Sequence, residues 1–168
     1  MEWTYDNISK WFDVYFEDVR KSQGDLETVP NLKRYFSKDL ELTMYTSPSS
    51  PPPVRMSLDT LLISFVHPGL QEDILPQYYA IDLRRLIVAV QFEIRFADKP
   101  SGTKWQPLQA SAHYHLIVDE NKDLIISKIY YWTEALPQDL FDFWAKHREE
   151  ALTKHALNYL MGTDDAKC

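Results

Sequence analysis

Cysteine is almost missing from this chain of 168 residues, and the one present, Cys168, is the last residue. An internal disulfide and a zinc site of clustered cysteines are thereby excluded, and a thiol in a polar tail is a poor nucleophile. Glycine is nearly as scarce, with four in all. None forms a phosphate-cradling loop or a serine nucleophile elbow. No apolar run approaches the ~20 residues of a membrane span, and the opening MEWTYDNISKW has acidic residues and no apolar leader core. Positive charge is also in deficit: 18 Lys and Arg against 25 Asp and Glu, a formal charge of -7. Nucleic acid and anionic membranes both require clustered basic residues. These absences together lead us to expect a soluble, cytoplasmic protein in a reducing compartment, with neither nucleic acid nor membrane as its partner.

Apolar and aromatic residues fill the space left, at 45% and 14% of the chain. Disorder is excluded by that content, and the length suits one domain spanning 1–168. Three runs, LIVAVQFEIRFAD, PLQASAHYHLIVD and DLIISKIYYWTEAL, follow one another with short polar breaks. Each is rich in β-branched and aromatic residues, so 78–135 reads as an antiparallel meander. Before it, 1–70 reads as a helical layer with one short strand. Ile8, Trp11, Phe12, Tyr15, Phe16 and Val19 recur at helical spacing, with Asp6 or Asn7 as cap and Gly24 as stop. A second helix starts near Pro30 and carries Leu32, Tyr35, Phe36 and Leu40 into a brief strand, Leu42 to Tyr45. SPSSPPPVR is a surface loop, and Ser57 caps a third helix that His67, Pro68 and Gly69 end. Pro137 opens a last helix, 137–161. The class is α+β, with helices packed on one face of a curved sheet.

This order of elements, carried by WFDVYFEDV, NLKRYFSKDLELTMY, SLDTLLISF and LIISKIYYWTE, resembles the NTF2-like superfamily. That is the cone-shaped fold of SnoaL-like polyketide cyclases, scytalone dehydratase and fungal isomerases of secondary metabolism. The resemblance implies an antiparallel sheet curved into a cone, N-terminal helices on its concave face and a long C-terminal helix in addition. It also implies an isomerase, cyclase or dehydratase that moves protons on a hydrophobic, polyoxygenated metabolite without cofactor or metal. A non-catalytic binding or protein-interaction module on the same fold is the alternative.

Strand parity nominates the pocket residues. With a turn at Glu120 to Lys122, Ala110, Ala112, Tyr114, Leu116 and Val118 share a face with Leu124, Ile126, Lys128, Tyr130, Trp132 and Glu134. A slip of one residue exchanges the faces. Taking this set as interior, the resemblance implies acid and base roles for Glu134 and Tyr114, with Arg34 or Arg55 stabilising an oxyanion. Tyr130 and Trp132, with Tyr15 and Trp11 from the helices, would bind substrate. The opposite face carries His113, His115, Ile117, Ile125, Ile129 and Tyr131. Two imidazoles on one strand face suit a metal, but no third histidine follows in the next strands, and no metal is expected. His113 remains a substrate-contact or interface residue. The apolar character of this second face predicts a homodimer.

Overall fold

A computed structural model describes residues 3–47 and 52–151 of the chain, with backbone alone at 147, 148, 150 and 151. Helix α1 (Tyr5–Ser22) begins at a capping box on Thr4, two or three residues earlier than the sequence suggests. The Thr4 hydroxyl accepts the Asn7 amide, and the Asn7 side chain accepts the Thr4 amide at 2.8 Å. Its apolar face, Ile8, Phe12, Tyr15, Phe16 and Val19, is fully withdrawn from water. A 3-10 segment (Val29–Tyr35) replaces the predicted second helix. Phe36 is accordingly not on a helix: it is the first residue of a twelve-residue strand, β1 (Phe36–Ser47). There follow β2 (Val54–Met56), α2 (Leu58–Ser64) capped by Ser57, β3 (Leu70–Asp82), β4 (Ile87–Asp98), β5 (Leu108–Val118), β6 (Leu124–Glu134) and α3 (Gln138–Ala151). The predicted extension of the last helix to 161 and the loop tip at 48–51 lie outside the described residues.

Among the described residues the strands form one curved, unclosed sheet in the order β2-β1-β6-β5-β4-β3. The predicted meander is β4, β5 and β6, antiparallel throughout, and β1 joins it in parallel to β6. Helix α1 lies across the concave face, where the Phe12 and Phe16 rings meet Tyr114 and Phe16 also meets Phe92. Strand β3 starts eight residues earlier than the sequence predicts. Pro76 obscures it there, and Pro76 is tolerated because β3 is an edge strand whose register shifts between Pro76 and Tyr78.

A bulge in β6 corrects the parity. His115 pairs with Lys128 but Leu116 pairs with Ile126, so Ser127 is an extra residue with its hydroxyl donating to the His115 carbonyl at 3.1 Å. Ile126 and Ile129, three apart, therefore both point inward, at 0% and 3% exposure. Downstream of the bulge the faces are exchanged: Tyr131 turns toward the interior, and Tyr130 and Trp132 turn out.

Candidate active site

The concave side of the sheet encloses a cavity of about 550 Å³. Phe92, Ile94 and Phe96 on β4, Leu42 and Met44 on β1, and Leu61 and Phe65 from α2 and the residue after it form apolar walls. Leu140, Phe141 and Trp144 of α3 line its outer end, so that helix covers part of the mouth. Leu140 is wholly buried, and Trp105 clasps the helix: its indole N–H donates to Asp139 at 3.0 Å and its ring lies 5.3 Å from Phe143.

Polar groups enter this apolar space at few points. Leu70, Glu72 and Ile74 alternate on the inner face of β3, which turns the Glu72 carboxylate into the cavity wall. His67, in the turn leading from α2 to β3, is 2% exposed. Its Nε2 lies 3.0 Å from Glu72 Oε2 and its Nδ1 lies 3.2 Å from the Leu70 carbonyl. Burial alone would lower the imidazole pKa, but the Glu72 hydrogen bond and charge outweigh it and raise the pKa above its ordinary value. Both ring nitrogens face acceptors, as an imidazolium requires.

Three phenols complete the set: Tyr15 from α1, Tyr114 from β5 and Tyr131 from β6. Burial pushes all three upward in pKa, and the Glu72 charge adds to the rise at Tyr15 and Tyr131. The Tyr15 and Tyr114 rings meet edge-on with centroids 6.1 Å apart. Phenols this resistant to ionisation remain O–H donors throughout the physiological range. A weakly hydrated carboxylate facing fixed donors can take a proton from a carbon or hydroxyl while the donors stabilise the charge left on oxygen.

Of the residues nominated from sequence, Tyr114 and Tyr15 line the cavity. Glu134 reaches only its rim: it is exposed, and its Oε2 accepts the Gln109 amide at 3.0 Å instead of lying among rings. Tyr130 and Trp132 stand on the outer face because of the bulge. Trp132 is 37% exposed, stacked on Tyr45 at 5.4 Å, with the exposed His113 edge-on at 4.9 Å. Trp11 packs behind the cavity against Tyr15 and Tyr35. Arg34 is spent on Asp18 and the Tyr35 hydroxyl, away from the lining, and Arg55 is exposed on β2 beside the lining residue Met56. His115 packs against Tyr130 on the outer face, and no group of three potential metal ligands occurs among the described residues. Glu72 and His67 escaped the sequence reading because 70–77 was not recognised as a strand. The alternation Leu70, Glu72, Ile74 directly after a helix stop was the available signal.

No protein-family model and no curated protein matches the sequence. Solved structures do match the fold. Among them are ActVI-ORFA from Streptomyces coelicolor (TM-score 0.57, 9% identity, 77% of this chain and 96% of that one) and nuclear transport factor 2 from Cryptosporidium parvum (0.56, 16%, 77% and 94%). A third is AusH from Aspergillus nidulans (0.54, 13%, 81% and 89%). At these identities the likeness is one of fold, and the fold is NTF2-like.

Proposed function

We propose that the protein is a cofactor-independent acid/base enzyme, an isomerase, cyclase or dehydratase, acting on a hydrophobic, polyoxygenated metabolite of polyketide, meroterpenoid or alkaloid type. One observation carries the reading: a carboxylate, Glu72, set into the wall of an apolar cavity of about 550 Å³ that also holds three un-ionised phenols. A cavity of that size suits a polycyclic ligand. Glu72 removes a proton from the substrate and returns it at another position, or delivers it to a departing hydroxyl. Tyr114, Tyr15 and Tyr131 donate to the substrate oxygen on which negative charge develops. Glu134 is assigned the lesser role of contacting the substrate at the rim, and the proton-transfer role expected of it passes to Glu72. A cytoplasmic setting and a homodimer belong to the same proposal. No helix among the described residues is long and apolar enough to cross a membrane.

A generic carbon acid tests the reading without knowledge of the natural substrate. In 5-nitrobenzisoxazole a base takes the C3 proton, the N–O bond breaks, and a coloured cyanonitrophenolate forms, with no other reactant. Wild-type protein should accelerate this elimination, and Glu72→Gln should reduce the rate by about 10²- to 10⁴-fold while probe binding persists. Tyr114→Phe should cost less, since water can replace one donor. A rate unchanged in Glu72→Gln would leave the cavity as a binding site and overturn the enzymatic reading.

A further inference from the structure

Resting on the proton-transfer role proposed for Glu72, we infer that His67 is the positioning residue of that carboxylate and that the corner after α1 is shaped to hold it. The ring has no freedom to do anything else. Its Nδ1 is committed to the Leu70 carbonyl and its Nε2 to Glu72. The His67 amide donates to the Gly24 carbonyl at 3.0 Å, and the His67 carbonyl accepts the Leu70 amide at 2.9 Å. Gly24 closes the remaining side. A Cβ there would stand 2.4 Å from His67 Nδ1 and 2.8 Å from its carbonyl carbon and oxygen, and the backbone at φ +68° is itself unfavourable to a side chain.

This clamp has a chemical consequence. Glu72 Oε2 is occupied by the imidazole, which fixes the orientation of this carboxylate on the cavity wall. With both nitrogens engaged and its side chain 3% exposed, the imidazole does not meet substrate and acts only through Glu72. Stability alone is a poor reason for the pair, because a buried ion pair is commonly matched by apolar residues of similar volume. A flexible glutamate on an edge strand, in contrast, would spend its time in rotamers that solvate it, and holding a reacting group in place is worth much of its rate.

The test compares His67→Phe, which fills the slot without a donor, with His67→Gln, whose amide N–H can replace Nε2–H. Elimination of 5-nitrobenzisoxazole is measured per folded molecule, with near-UV circular dichroism supplying the folded fraction. We expect kcat to fall about 10- to 100-fold in His67→Phe with KM nearly unchanged, the scale seen when an orienting partner is removed. His67→Gln should recover part of it. Nitrogen NMR should find both imidazole nitrogens protonated in wild type and Nε2–H lost in Glu72→Gln. If Glu72→Gln is inactive while kcat per folded His67→Phe molecule equals wild type, the positioning role falls and the enzymatic reading stands. If Glu72→Gln keeps wild-type kcat, the enzymatic reading falls and takes the positioning role with it. Should His67→Phe not fold, His67→Gln decides together with the spectrum: an unprotonated Nε2 in wild type refutes the inference.

Discussion

A histidine sealed against a carboxylate gives this protein a pH dependence of known sign. Burial opposes the charge on His67, but Glu72 more than compensates, so the folded pKa lies above that of the unfolded chain. The folded state then binds the proton more tightly. Its stabilisation is complete below the unfolded value of about 6.5 and is lost as pH rises through the folded pKa. The melting temperature of wild type should therefore carry a component that falls as pH rises above about 6.5 and through the folded pKa, and this component should vanish in His67→Phe. A component that rises over that interval would show that the pair is not ionised as described. At this scale the sequence was half readable. Tyr114 and Tyr15 were legible because a buried aromatic in a clear alternation has one place to go. Tyr130 and Trp132 were misassigned because a single extra residue, Ser127, reverses every side chain after it. Nothing in SKIYYW marks that insertion in advance.

Elements were legible where one periodicity ran unbroken and illegible where two rules met. Helix α1 and strands β4 and β5 satisfy one rule each, whereas β6 was legible as a strand but not in its parity beyond Ser127. In 70–77 the alternation of β3 is interrupted by Pro76, which demotes a strand to an edge, and that is where β3 lies. Segment 29–36 presents a proline start and apolar spacing suited to a helix, yet the chain leaves the 3-10 turn at Phe36 and pairs with β6. The two turn glycines at positive φ allow the corner after α1 to be weighed against ordinary backbone strain. Gly102 has φ +71° and open space around it, whereas Gly24 has a similar φ and His67 against it. Alanine at Gly102 should cost about 1 to 2 kcal/mol from backbone conformation alone. Gly24→Ala should cost measurably more in urea unfolding, because the Cβ also displaces His67 from Glu72. Equal losses at the two sites would mean that the corner yields and does not clamp the ring.

Assembly is the question that belongs to the whole molecule, and the parity correction changes its terms. Ile129 and Tyr131, both expected on the outer face, belong to the interior. What stands outside instead is a connected aromatic patch: Tyr45 stacked on Trp132, His113 against Trp132, and His115 against Tyr130. Ile117, at 43% exposure and on the same strand face as His113 and His115, extends it along β5. The Glu41–Lys128 and Glu93–Arg95 pairs lie on neighbouring strands, which gives the polar border typical of an interface. No helix among the described residues covers this face, since α1 and α3 pack on the concave side. A patch of this kind on a sheet can cover itself by two-fold symmetry, each residue meeting its own neighbourhood on a second copy. The expected outcome is a homodimer by light scattering at micromolar concentration. Trp132→Glu would place two carboxylates near each other and bury them without partners, so it should shift the protein to monomer. Because Trp132 does not line the cavity, elimination of 5-nitrobenzisoxazole per chain should survive that change. A wild-type protein that stays monomeric at high micromolar concentration would remove the sheet face from consideration as a self-association surface.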